Sequence, residues 1–304
     1  MTPIVEVQNI QMRYGSTLAI DDISLTVTQG EIFGILGPNG AGKTTTVESM
    51  MGLRQPDHGS IRVLGMDPQR QRLQLAQRIG IQLQSAALAE RMTVWEALDL
   101  FSSFYTHTVP WSPLLEQWGL VDKRNTLFGN LSGGQRQRLF IALALVNDPD
   151  VVFLDELTTG LDPHARRTTW DLVRSIRDQG KTVVLVTHFM DEAEALCDRV
   201  AIIDQGRIIA LDRPATLIDN LEVESRLIFE VEEQVDLSAL RALLPVGEAV
   251  QNGDRVTVYG QREGLVATVV NWLEAQCVRF TNLRTEQPNL EDVFIHLTGR
   301  QLQN

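Results

Sequence analysis

Cysteine is nearly absent: Cys197 and Cys277 are the two in 304 residues. They lie far apart and without metal-ligand spacing. That excludes a disulfide scaffold and a cysteine-built metal site, and fits two inert thiols in a reduced, cytosolic setting. Long hydrophobic runs are missing too. The longest, Leu139 to Val146, falls short of the roughly 18 residues that a membrane span needs. The first residues, Met-Thr-Pro-Ile-Val-Glu-Val, carry neither a basic n-region nor an apolar h-region, so no signal peptide is expected. Any work at a membrane would use spans supplied by another chain. Positive charge is in deficit: 27 Lys and Arg against 39 Asp and Glu leave a net charge of −12. Nucleic-acid binders are ordinarily basic, so no nucleic-acid partner is expected.

What is present reads as a globular protein of 43% hydrophobic and 22% charged residues, long enough for two domains. Ile4, Glu6 and Gln8 alternate with Val5, Val7 and Asn9, and alternation returns over Ile23 to Val27. This predicts a small β-rich lobe. The apolar runs Ile32 to Leu36, Val151 to Leu154 and Val183 to Val186 predict buried strands. The stretch 85–148 turns helical, with Trp95, Leu98, Phe101 and Phe104 spaced by three. A helix is predicted over His164 to Gln179, stopped by Gly180, and a hairpin over Val200 to Leu211. Strands alternating with helices imply an α/β core with a largely parallel sheet.

A boundary falls near Asn220 to Ser225, dividing 1–222 from 223–304. Beyond it, strands are predicted at Leu227 to Val231 and Arg255 to Tyr259. Helices are predicted at Leu237 to Leu244, at Leu265 to Ala275 and from Asn289 onward. Val266, Val269, Val270 and Leu273 would share one helix face, and Leu290, Val293, Phe294 and Leu297 another. The result is a small α+β accessory domain.

Residues Gly37 to Thr44 read Gly-Pro-Asn-Gly-Ala-Gly-Lys-Thr, between a strand pattern and the helical stretch Thr44 to Met51. This is a phosphate-binding loop. Glycines let backbone N–H groups close around phosphate oxygens, and the helix N-terminus adds favourable dipole charge. Lys43 would reach the β- and γ-phosphates, and the Thr44 hydroxyl would ligate Mg²⁺. The chain is therefore expected to bind a nucleoside triphosphate.

Two further motifs extend this chemistry. The strand Val151 to Leu154 ends in Asp155-Glu156. Asp155 suits a second Mg²⁺ ligand, and Glu156 would face the γ-phosphate, positioned to activate or orient the attacking water. Leu131-Ser132-Gly133-Gly134-Gln135 opens a helix as a capping box, with Ser132 as cap and Gln135 three residues on. Its two glycines also offer free N–H groups to an anion. One chain thus carries two phosphate-grade helix starts.

That pentapeptide, between a phosphate loop and an Asp-Glu strand end, resembles the signature of ABC transporter ATPases. The resemblance covers about residues 4 to 220 and adds further roles. Tyr14 looks like the aromatic that stacks on adenine. Gln84, in preference to Gln82, looks like the Q-loop glutamine that senses the γ-phosphate and Mg²⁺. Gly160-Leu161-Asp162 matches the D-loop, and His188 the switch histidine. The implied catalytic set is Glu156, His188 and Gln84, and the implied Mg²⁺ set is Thr44, Gln84 and Asp155. The implied ATP set is Tyr14, Gly37, Pro38, Asn39, Gly40, Ala41, Gly42, Lys43, Thr44, Thr45, Ser132, Gly133, Gly134, Gln135 and Asp162.

One departure stands out: Leu157 replaces a proline common in the family. The implied architecture is an α/β P-loop NTPase core with a β-rich lobe and a helical subdomain, followed by the accessory domain. In such proteins two subunits pack head to tail around ATP, so a second ATPase subunit is expected, a copy of this chain. The run Thr187 to Glu194 and the ending Asn289 to Gly299 are similar to ATPase subunits of ABC-2-type exporters of the daunorubicin-resistance group. That implies a separate integral-membrane permease, with this chain peripheral on its cytoplasmic face. A DNA-repair type would need a long coiled coil, and a tandem ribosome-acting type would need a second phosphate loop. Neither feature is found.

Overall fold

The computed structural model describes residues 2–83, 87–221, 225–243, 246–260 and 263–299. They divide into two compact units, one up to Leu217 and the other from Ile218 onward.

The first unit opens with the long strands β1 (Pro3–Tyr14) and β2 (Thr17–Thr28). Next come β3 (Ile32–Leu36), α1 (Lys43–Met50), β4 (His58–Val63), α2 (Arg72–Ala76) and β5 (Ile79–Gln82). A helical region follows, with α3 (Val94–Ser102), α4 (Trp111–Gln117) and α5 (Gly133–Ala144). The unit closes with β6 (Val151–Asp155), α6 (Pro163–Asp178), β7 (Thr182–Thr187), α7 (Met190–Leu196), β8 (Arg199–Asp204), β9 (Arg207–Asp212) and α8 (Pro214–Asp219), whose last residues cross the division.

Strands β2, β1 and β4 form an antiparallel sheet in that order. The alternation of β1 does not run through. Val5 and Val7 are buried, but so are Ile10 and Met12, on the other parity. Asn9 causes the switch. It adopts φ 47, and the pairing with β2 shifts register between Val7 and Ile10. Its Nδ2 donates to Asp22 Oδ1 at 2.8 Å, which holds this bulge in place.

The central sheet runs β5-β6-β7-β3-β8-β9. The first five are parallel neighbours, and β8–β9 is an antiparallel hairpin. β3, β6 and β7 are buried along their whole length, as expected for a sheet covered on both faces. Leu36 pairs with Thr187, and Asp155 with Val186. The carboxyl ends of three strands therefore meet on one edge, where open α/β sheets bind ligands.

In the helical region α3 buries Val94, Ala97 and Leu98. A capping box between Thr93 and Glu96 starts it one residue before Trp95. Of the set predicted from Trp95 to Phe104, Leu98 is on the buried face, while Trp95 and Phe101 are half-buried. The helix ends at Ser102, and Phe104 lies beyond it, exposed.

The second unit comprises β10 (Ser225–Val231), α9 (Leu237–Arg241), β11 (Val246–Asn252), β12 (Arg255–Gly260), α10 (Leu265–Ala275), β13 (Phe280–Glu286) and α11 (Leu290–Thr298). Its antiparallel sheet runs β11-β12-β10-β13. A βαββαβ chain in this order is the split arrangement of ferredoxin-like folds. β11 and β13 were not predicted, and α9 is shorter than Leu237 to Leu244. On α10 the core face is Leu265, Val269 and Leu273, while Val266 is exposed. On α11 it is Leu290, Val293 and Phe294, while Leu297 is exposed. In α10 the core residues recur every four positions and Val266 falls out of phase, whereas Leu297 is in phase with Val293 and is exposed in the last turn of α11.

Candidate active site

The loop Gly37 to Gly42 joins β3 to α1 at the carboxyl edge. It is braced by the β8–β9 turn: Gly206 N donates to Ala41 O at 2.9 Å. Two glycines are sterically required. A Cβ at Gly37 (φ 147) would stand 2.0 Å from Ile203 O, and one at Gly42 (φ 104) 2.5 Å from Ala19 O. Gly42 is also the N-cap of α1 and makes no side-chain cap bond. The first-turn N–H groups of α1 therefore have no side-chain cap competing for them, whereas in α5 the capping box takes up Gln135 N and Ser132 N and leaves Gly133 N and Gly134 N outside it.

The Lys43 ammonium is buried and donates to Gly37 O at 2.8 Å and Pro38 O at 2.9 Å. Burial lowers its pKa, against the charges of Glu156 and Asp155. Tyr14, Ala19, Asn39, Gly40, Gly42, Lys43, Thr44, Thr45 and Glu156 line an open cavity of about 450 Å³ above the loop.

Asp155 ends β6. Burial, and next the neighbouring charge of Glu156, raise its pKa to about 6, and Lys43 opposes them. Its buried Oδ1 completes no hydrogen bond among the described residues. A buried carboxylate oxygen without a donor is an open oxygen ligand for a hard cation. The Asp155 carboxylate therefore fits Mg²⁺, and Thr44 lines the cavity beside Glu156, the next residue after it.

Glu156 adopts φ 49, turning the chain sharply off the strand. Its Oε1 lies 3.1 Å from His188 Nδ1, at the end of neighbouring β7. Leu157, in place of the family's proline, is fully buried and packs as a core residue.

The signature residues lie elsewhere. Ser132 caps α5 by accepting from Gln135 N at 3.3 Å, and Gln135 Oε1 accepts from Ser132 N at 3.0 Å. Ser132, Gly133, Gly134, Gly160, Leu161 and Asp162 share a second cavity of about 320 Å³ with neighbouring residues of α5 and α6. No residue lines both cavities. The Asp162 carboxylate accepts from His164 N and Ala165 N and so caps α6, which holds its pKa down. Gln84 lies outside the described residues.

Two features of the site were not foreseen. Ala19 lines the nucleotide cavity through β2, which no motif marks. The Arg54 guanidinium sits 5.3 Å from the Tyr14 ring centroid and pairs with Glu48 of α1. An arginine in a polar loop gives no such signal in the sequence.

A phosphate loop at the carboxyl edge of a parallel sheet, with an Asp-Glu strand end beside it, defines a P-loop nucleoside triphosphatase. The comparisons narrow the class. A family model described as ABC transporter matches residues 20–159. Nod factor export ATP-binding protein I of Ralstonia nicotianae is 40% identical over 311 residues, spanning 100% of this chain and 96% of that protein. The structure of cbiO1 from Clostridium perfringens, part of an ABC transporter complex, superposes with a TM-score of 0.67 at 27% identity, covering 73% of this chain and 93% of that one. A bacterial ABC transporter cassette solved as a dimer matches with a TM-score of 0.61 at 25% identity, over 69% of this chain and 98% of that one. The same cassette is also known in a post-hydrolysis state bound to ADP and Pi.

The chain belongs to the ATP-binding subunits of ABC transporters. It is an ATPase that takes ATP with Mg²⁺ and works as a dimer with a membrane permease. No helix among the described residues is long and apolar enough to cross a membrane.

Proposed function

We propose that two copies of this chain pair head to tail and hydrolyse ATP at two composite sites, driving export through a separate permease. One observation carries this. The cavity with the phosphate loop and Glu156, and the cavity with Ser132 to Gly134 and Asp162, share no residue within one chain. A two-fold axis lets each complete the other.

In this reading Tyr14 stacks on adenine, and the loop from Gly37 through Thr45 cradles the phosphates. Lys43 exchanges its two carbonyl acceptors for β- and γ-phosphate oxygens. Thr44, Asp155 and Gln84 would hold Mg²⁺, which neutralises charge on the phosphates. Glu156, oriented by His188, takes the proton of the attacking water. The partner subunit contributes its signature helix start, Ser132 to Gln135, and its D-loop. ATP thereby favours the closed dimer, and the permease responds to that preference.

Residues 1–222 are assigned to the ATPase, with a helical subdomain over 85–148, and 223–304 to an accessory domain. The name shared by the full-length relatives supports export as the direction. The subunit would sit on the cytoplasmic face, held there by the permease.

The test is ATPase activity against protein concentration, for wild type and Glu156→Gln, with size analysis in Mg·ATP. Wild-type specific activity should rise with concentration. The variant should lose at least about 100-fold in rate and accumulate an ATP-dependent dimer. A variant as active as wild type, or activity independent of concentration, would refute the composite site.

A further inference from the structure

Glu192 is a second acid close to the Glu156–His188 pair, and it has no exposed surface. It stands in α7 among Met190, Ala193 and Leu196, on a face where an apolar side chain would pack without desolvation cost. The neighbouring acids Asp191 and Glu194 point to solvent. Trp170 Nε1, from α6, donates to Glu192 Oε1 at 3.2 Å. The hydroxyls of Thr187 and Thr158 stand beside the same carboxyl. Burial pushes its pKa up, against these three donors.

Each donor belongs to a segment that carries a site residue. Thr187 immediately precedes His188, and its Oγ1 also accepts from Phe189 N at 3.0 Å. Thr158 follows Glu156 by two residues, and its carbonyl accepts from Leu161 N at 3.1 Å, at the start of the D-loop. Trp170 lies on the helix that Asp162 caps. One carboxyl therefore gathers the loop after Glu156, the strand end before His188 and the helix behind the D-loop. Glu192 Oε2 and Thr158 Oγ1 complete no hydrogen bond of full geometry among the described residues.

We infer that Glu192 is a positioning residue for ATP hydrolysis, fixing the Glu156 loop against the His188 strand end. The inference rests on the roles proposed above for Glu156 and His188.

Full-length Glu192→Ala, Glu192→Gln and Thr158→Val should be compared with wild type for kcat, KM for ATP and thermal midpoint. Misplacing a reacting group by an ångström costs about 100-fold. Glu192→Ala should therefore lose about 10- to 100-fold in kcat with KM changed less than about twofold, because the phosphate loop is untouched. Glu192→Gln keeps an oxygen for Trp170 and should recover most of the rate. Thr158→Val should lose kcat alone, by a smaller factor.

Folded Glu192→Ala at wild-type kcat overturns the inference. So does a parallel fall of kcat, ATP affinity and midpoint that glutamine does not rescue. If Glu192→Ala does not fold, Thr158→Val decides: a folded variant with reduced kcat supports the role, and one at wild-type rate ends it. Failure of the underlying reading shows separately, as retained activity in Glu156→Gln.

Discussion

Replacing Asp155 with Asn should stabilise the nucleotide-free protein while ending its activity. The folded state raises this carboxyl from 3.8 to about 6, through burial first and the Glu156 charge second. At about 1.4 kcal/mol per pKa unit, the ionised carboxylate costs the fold about 3 kcal/mol. The sign follows from proton affinity. An acid with a raised folded pKa binds its proton more tightly in the native state than in the unfolded chain. The penalty is therefore fully present above pH 6, shrinks as pH falls through 6 and vanishes below 3.8. Asparagine removes the charge but leaves a buried amide, so a net gain of about 1–3 kcal/mol is expected at pH 7.5.

Denaturant unfolding in EDTA measures it. Four of the five tryptophans, Trp95, Trp111, Trp118 and Trp170, lie in the first unit, so that unit dominates the fluorescence, and Trp272→Phe in both proteins removes the contribution of the second unit. The gap between variant and wild type should narrow toward pH 5. Mg²⁺ should stabilise wild type and not the variant, whose Mg²⁺-dependent hydrolysis should be lost. A variant no more stable than wild type at pH 7.5, or a gap that does not change with pH, would refute the argument.

Two other substitutions separate the phosphate loop from the second unit. Gly42→Ala meets both an unfavourable φ and the Ala19 carbonyl, so it should cost about 2 kcal/mol or more and abolish ATP binding, read by thermal shift with and without Mg·ATP. Asn289 caps α11 through Glu291 N and Asp292 N. Asn289→Ala should destabilise the second unit by about 1 kcal/mol, reported by Trp272, and leave ATPase activity within about twofold.

The strands that sequence patterning left unread share a place in the fold. β4, β5, β11 and β13 are each the edge of their sheet. Edge strands bury less, are kept polar or short, and so lose the hydrophobic period that makes a strand legible. β13, Phe280-Thr281-Asn282-Leu283-Arg284-Thr285-Glu286, has no fully buried residue. The central strands β3, β6 and β7 were legible for the opposite reason, because burial on both faces leaves continuous apolar runs. Asn9 escaped because a single positive φ flips the buried face without changing composition.

For the site the division is similar. Phosphate loop, Asp-Glu strand end, signature and capping boxes are local chemistry, carried by residues a few positions apart, and the sequence by itself determined them. Relations between distant segments were decided only by the tertiary structure. Parallel register brings Glu156 to His188 across 32 residues of chain. The fold also separates the signature cavity from the nucleotide cavity. It buries Glu192 while leaving Asp191 and Glu194 in solvent, a choice among three similar acids that helical phase against the core makes and composition does not.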